Sequence, residues 1–255
     1  MRTLILGGTT EASELAERVA GDSRFDATVS LAGVTKSPKL LALPVRIGGF
    51  GGAKGLAEFL SANGVQALVD ATHPFAATMS ANAHAAAREA GVPHLVVNRP
   101  PWTKIEGDRW IEVPSMAAAA KALGSTPRRV FLTVGRKDLA PFSAAPQHAY
   151  VIRSVDPPPA ELLPPDVSVI AARGPFGEAD ESALLKAHRI DIVVTKNSGG
   201  SAAAAKLAAA RARGISVVMI ARPTPPSGDH VATAAEALDW MAARHHEFAS
   251  ARRGV

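Results

Sequence analysis

Apolar residues fall along this chain in short continuous runs. Each run is followed by a loop marked by glycine, proline or polar residues, and most loops by a segment with apolar residues at three- and four-residue intervals. Continuous runs rich in β-branched residues suit strands buried on both faces, and the wider spacing suits helices with one buried stripe. The runs predict strands over residues 3–6, 27–31, 45–47, 67–70, 94–97 and 110–113, then 130–134, 149–154, 167–171, 190–195 and 217–220. The helical spacing predicts helices over 11–19, 53–63, 76–90, 115–123, 178–188, 201–213 and 233–244. Such alternation specifies an α/β fold with mainly parallel sheets covered by helices.

That is more strand than one doubly wound sheet ordinarily holds. Two domains are expected, 1–125 and 126–255, joined within Gly124-Ser125-Thr126-Pro127. Either terminus can cross over to complete the other sheet. Proline-rich stretches at 156–159 and 223–228 predict rigid surface loops.

With 255 residues, each half can bury a core. The balance of 47% apolar to 20% charged residues is that of a globular protein. Cysteine is absent, which excludes disulfides, thiolate metal sites and thiol nucleophiles. No apolar run reaches the roughly 18 residues that span a bilayer. Met1-Arg2-Thr3 runs straight into a strand without a signal-peptide pattern, so a cytoplasmic protein is expected, with no membrane partner. The net charge of +5 suggests an anionic partner. Scattered basic residues and 5% aromatics argue against nucleic acid and for an anionic small molecule.

The first strand ends in Leu6-Gly7-Gly8-Thr9-Thr10-Glu11-Ala12 and a helix follows at once. Aligned to G-x-G-x-x-G/A, Gly7 takes the first position, Thr9 the second and Ala12 the third. Gly7 permits the turn, Ala12 lets helix and strand pack closely, and the helix N-terminus offers N–H groups to a pyrophosphate. Gly7, Gly8, Thr9, Thr10 and Glu11 are therefore expected to hold a dinucleotide. NAD sites usually carry an acid at the end of the second strand for the ribose 2′-hydroxyl. Here that strand ends Ser30-Leu31-Ala32-Gly33, followed by Lys36 and Lys39. The edge suits a 2′-phosphate, with Ser30 and Lys36 as its expected partners, and hence NADPH.

Four further strands deliver polar loops from their carboxyl ends, where ligands bind in open parallel sheets. These are Asp70-Ala71-Thr72-His73-Pro74-Phe75-Ala76, Thr133-Val134-Gly135-Arg136-Lys137-Asp138, Ala171-Ala172-Arg173-Gly174-Pro175-Phe176 and Thr195-Lys196-Asn197-Ser198-Gly199-Gly200. Arg136, Lys137, Arg173 and Lys196, with glycines that expose backbone N–H groups, suit a receptor for several carboxylates or phosphates. His73 is a candidate proton donor. No histidine or acid spacing specifies a metal site.

Taken in order from residue 4 to about residue 200, these motifs together with Arg99-Pro100-Pro101-Trp102 resemble the precorrin-6A reductase family of cobalamin biosynthesis. The resemblance implies two Rossmann-like domains facing across a cleft, with NADPH as hydride donor. It implies reduction of one double bond in a tetrapyrrole, precorrin-6A giving precorrin-6B, with hand-over to neighbouring pathway enzymes. The substrate's many carboxylates would meet Arg136, Lys137, Arg173, Lys196, Asn197, Ser198 and Gly199. The nicotinamide would reach toward Thr72 and His73, with His73, Lys137 or water as proton donor. The resemblance does not choose between metal-free and cobalt-containing macrocycles. The rival readings are another NADP-dependent reductase of an anionic substrate, a non-catalytic tetrapyrrole or nucleotide carrier, and a transferase using S-adenosylmethionine or a nucleotide sugar.

Overall fold

A computed structural model describes residues 1–33, 41–201 and 203–251. The chain divides into two compact units, Met1–Arg99 with Pro223–Val255, and Pro100–Arg222. The first unit carries β1 (Arg2–Leu6), α1 (Thr10–Val19), β2 (Asp26–Leu31), β3 (Val45–Ile47), α2 (Gly52–Ala62), β4 (Ala67–Asp70), α3 (Ala77–Ala90) and β5 (His94–Val97). The second carries β6 (Trp110–Val113), α4 (Met116–Ala122), β7 (Arg129–Leu132), β8 (Ala149–Ser154), β9 (Val167–Ala171), α5 (Glu178–Ala187), β10 (Ile192–Lys196), α6 (Ala205–Ala212) and β11 (Ser216–Ile220). The chain then returns to the first unit with β12 (Asp229–Val231) and α7 (Ala234–Ala251).

Each unit holds a six-stranded sheet, ordered β12-β5-β4-β1-β2-β3 and β6-β11-β10-β7-β8-β9, and every ladder is parallel. This is the doubly wound Rossmann-like order, reversing direction between β1 and β4 in one unit and between β7 and β10 in the other.

The expected boundary at 125 is corrected. β6 pairs with β11, so the chain joins the second unit from residue 100, and β12 pairs with β5, so residues after 222 belong to the first. Strand pairing decides membership, and the return of the C-terminal segment to the first sheet leaves no mark in local composition. β12 was not predicted. Its three residues, Asp229-His230-Val231, follow a proline-rich stretch and show no apolar run. The helix predicted from 201 begins at Ala205, because the chain first turns through an Ala204 N–H bond to the Ser201 carbonyl.

Alternation along β1 sets the two faces of the first sheet. Ile5 packs with Val29, Val69 and Leu95 against Leu15 and Ala16 of α1 and Ala237 and Met241 of α7. Leu4 and Leu6 turn the other way, against Leu56 and Leu60 of α2 and Ala83 and Ala87 of α3. In the second unit Phe131, Val151, Val193 and Val217 pack with Leu185 of α5 and Leu207 and Ala210 of α6. Burial of this kind contributes roughly 25 cal/mol per Å² and fixes the strand ends from which the loops project.

Buried charged side chains interrupt the second core. Glu181 on α5 pairs with Arg153 of β8 at 2.6 Å. Lys206 on α6 is also buried, donating to the Ala203 carbonyl at 2.8 Å with its ammonium 5.0 Å from the Trp102 ring centre. Burial pushes its pKa down to about 8, with the charge of Glu181 opposing that shift.

Candidate functional site

The glycine turn lies at the β1–β4 reversal point of the first unit. Gly7 N–H donates to the Ser30 carbonyl at 2.9 Å. A Cβ on Gly7 would stand 2.8 Å from Val29 Cγ1 and 3.1 Å from Leu31 Cδ2, so β2 packs against the turn too closely for any side chain. Gly8 has φ +121°, and a Cβ there would meet nothing within 4 Å. That open side, above the first turn of α1, fits a pyrophosphate approaching backbone N–H groups.

Thr9 is the N-cap. Its hydroxyl accepts from Ala12 N–H at 3.1 Å and donates to the Ala71 carbonyl at 2.8 Å. The hydroxyl therefore ties α1 to the β4 loop, and its hydrogen points into the protein. Thr10 is exposed. Glu11 accepts from Arg99 Nη1 at 2.5 Å, so its carboxylate is held by a cation from the far end of β5.

Along the neighbouring loop Asp70 organises Thr72. Asp70 Oδ1 accepts from the Thr72 hydroxyl at 2.6 Å and from its N–H at 3.0 Å. His73 Nδ1 accepts from Phe75 N–H at 3.2 Å. With Nδ1 an acceptor, the proton of a neutral His73 sits on Nε2. Thr72 and His73 thus leave β4 immediately beside the glycine turn that leaves β1.

At the β2 edge, Ser30 is 5% exposed and accepts from Arg46 Nη1 at 3.3 Å. The register places Ser30 opposite Arg46 on β3. Arg46 also donates to the Gly48 carbonyl at 2.6 Å and the Gly49 carbonyl at 2.8 Å, and its guanidinium lies 3.9 Å from the Phe50 ring centre. Lys36 lies outside the described residues.

The second unit repeats the arrangement at its β7–β10 reversal point. Gly135, Arg136, Lys137 and Asp138 leave β7, and Lys196 ends β10. Lys196 Nζ donates to Asp138 Oδ2 at 2.7 Å. A Cβ on Gly135 would stand 3.1 Å from that same oxygen, so glycine leaves room for the pair. Lys137 is exposed and Arg136 partly so. Arg173 is exposed beyond β9, at the sheet's outer edge, two strands from β7.

Asn197 uses its side chain as a clamp. Its Oδ1 accepts from Trp102 N–H at 2.8 Å and its Nδ2 donates to the Trp102 carbonyl at 2.9 Å. Arg222 Nε donates to the Asn197 carbonyl at 2.6 Å, and a Cβ on Gly199 would collide with the Pro100 carbonyl at 2.0 Å. Ser198 is buried. The 197–200 loop is therefore knitted to segment 100–102, a structural duty that its polar composition did not reveal.

Four residues with positions in these arrangements had no role in the sequence reading: Arg46, Arg99, Asp138 and Arg222. Arg99 and Asp138 lay within marked motifs, and Arg46 stood as a cation centred in a strand and followed by Ile47-Gly48-Gly49-Phe50, whereas Arg222 carried no local signal.

A family model of precorrin-6x reductase CbiJ/CobK matches residues 2–242. A precorrin-6A reductase from a Sinorhizobium species is 53% identical over 241 residues, covering 94% of this chain and 92% of that one. Another from Rhodobacter capsulatus is 51% identical, covering 94% and 96%. A solved structure described as CobK precorrin-6A reductase superposes with a TM-score of 0.90 at 50% identity, covering 95% of this chain and 96% of its own. With a doubly wound fold in each unit and a family match over nearly its full length, this chain belongs to the precorrin-6x reductase family and is an oxidoreductase.

Proposed function

We propose that this chain catalyses the NADPH-dependent reduction of one double bond in the macrocycle of precorrin-6A, giving precorrin-6B in cobalamin biosynthesis. Family membership supports the substrate, named in the closely similar relatives. The observation that carries the cofactor reading is the pairing of an open glycine turn before α1 with a β2 end that offers no carboxylate to a ribose.

NADPH, when bound, supplies the hydride. Gly8, Thr9 and Thr10 would hold its pyrophosphate through backbone N–H groups, with Gly7 keeping the turn tight through its bond to the Ser30 carbonyl, while the Ser30 hydroxyl and Lys36 are the proposed partners of its 2′-phosphate. Glu11 takes part by orienting Arg99. Thr72, fixed by Asp70, lines the nicotinamide position. His73, once protonated to the imidazolium, would donate its Nε2 proton to the carbon beside the one reduced and return to the neutral ring, with Lys137 as the alternative donor. Arg136, Lys137, Arg173 and Lys196 pair with the substrate's carboxylates, and in the 197–199 loop Gly199 is the position whose N–H would add a donor, since the Asn197 and Ser198 N–H groups donate to the Ile220 and Lys196 carbonyls. The protein acts in the cytoplasm and passes its product to the next pathway enzyme. No described helix is long and apolar enough to cross a membrane.

Anaerobic incubation with precorrin-6A tests the reading. NADPH absorbance and the macrocycle spectrum should change together, one equivalent for one. Tetrapyrrole binding without NADPH oxidation would instead make the protein a carrier. Arg136→Ala and Arg173→Ala should raise KM for the tetrapyrrole and leave KM for NADPH unchanged.

A further inference from the structure

The end of β2 lacks an acid, and the neighbouring strand places a cation beside it. Arg46 sits at the centre of β3 in register with Ser30, with its Nη1 3.3 Å from the Ser30 hydroxyl. Two carbonyls, of Gly48 and Gly49, fix the guanidinium in place, and the Phe50 ring backs it. Every one of these partners is neutral. Among the described residues no carboxylate pairs with Arg46, so a full positive charge is held in one orientation without neutralisation. Three of its five N–H groups have acceptors in the structure, leaving two for a ligand.

The loop that follows keeps the ground in front of it clear. A Cβ on Gly48, Gly49, Gly51 or Gly52 would meet nothing within 4 Å. An arginine fixed by backbone, backed by an aromatic ring and bordered by bare glycine suits a phosphate better than a surface lysine does. Its planar donors match two phosphate oxygens, and little side-chain entropy is lost on binding. A purely mechanical clamp for the 48–49 turn would not need a charge.

We propose that Arg46 is the specificity-determining residue for the 2′-phosphate, the group by which this site separates NADPH from NADH. The inference rests on the dinucleotide reading of the glycine turn and adds to Ser30 and Lys36 a residue on a different strand.

Calorimetric titration of the full chain with adenosine 2′,5′-bisphosphate and with adenosine 5′-monophosphate tests it without turnover. The wild type should favour the bisphosphate. Arg46→Ala should weaken the bisphosphate by about 10- to 100-fold, the worth of one charged hydrogen-bonding partner, and leave the monophosphate unchanged. Arg46→Gln, which keeps a donor but no charge, should behave like Arg46→Ala, and Arg46→Lys should recover part of the loss. If Arg46→Ala weakens both nucleotides equally, or lowers Tm while the preference survives, Arg46 is only a loop clamp and the proposal is overturned. If the wild type binds both nucleotides equally, the NADPH reading itself fails, a result distinct from a preference that survives without Arg46.

Discussion

Arg99 and Glu11 join the carboxyl end of β5 to the first turn of α1 through a contact of 2.5 Å between Nη1 and Oε2. The side chains are only 15% and 19% exposed, so solvent screens the pair weakly. A carboxylate in the first turn suits the helix dipole but would repel a pyrophosphate bound there. On the proposed dinucleotide reading, Arg99 cancels that repulsion.

The two partners should therefore respond differently. Arg99→Gln leaves Glu11 charged and should raise the Kd for NADPH about tenfold, an electrostatic change of about 1.4 kcal/mol. Glu11→Gln should leave Kd unchanged or lower it, although Tm falls because a partly buried cation loses its partner. Fluorescence titration alongside thermal melts reads both effects. Equal weakening by the two variants would show that the pair serves only the fold.

Gly7 and Gly8 are adjacent but constrained differently. Gly7→Ala drives a methyl group into Val29 and Leu31 and should cost about 1–3 kcal/mol, with NADPH binding lost as β2 shifts from the turn. Gly8→Ala meets no neighbour and suffers only from its positive φ, so its effect on Tm should be smaller. Urea unfolding of both variants checks the order.

The glycine turn and the four polar loops were legible because each lies at the end of a short apolar run, and parallel strands bring such ends to one edge. Hydrogen-bond direction was not legible. Thr9 looked like a donor to ligand, but its hydrogen goes to Ala71 O. Asn197 looked like a substrate ligand, but its amide faces Trp102, 95 residues away in sequence. Arg46 stood in a predicted strand without a role, because its significance comes from the register that sets it against Ser30. β12 was missed because an edge strand of three residues needs no apolar run.

Lys196 and Asp138 give another paired prediction. The ammonium is held by a carboxylate that any incoming substrate carboxylate must displace. Asp138→Asn should lower KM for the tetrapyrrole, while Lys196→Ala should raise it. Steady-state kinetics with NADPH saturating separates the two, and a rise in both would assign Asp138 to positioning the lysine instead.

Lys206 should make stability depend on alkaline pH. Its folded pKa is depressed to about 8, whereas the unfolded chain keeps the ordinary value of 10.5. Between those values the unfolded state binds more protons, so stability should rise with pH from about 8 toward 10.5, by at most about 3 kcal/mol. Tyr150 acts in the opposite direction. Burial raises its pKa to about 12, so stability is lost as pH rises above the ordinary value of 10. Denaturation midpoints should therefore climb and then fall, and Lys206→Met should abolish the climb. A flat wild-type profile would count against a buried, easily deprotonated amine.

The return of the chain to β12 and α7 has a consequence for the ribosome. Residues 100–222 form one uninterrupted stretch whose sheet needs nothing from outside it. The first unit begins earlier but still lacks an edge strand, and the Ala237 and Met241 side chains that close its core over Ile5 are translated only after the whole second unit. The unit begun first is thus finished last. The glycine turn at residue 7 waits, in a half-built sheet, for α7 to emerge.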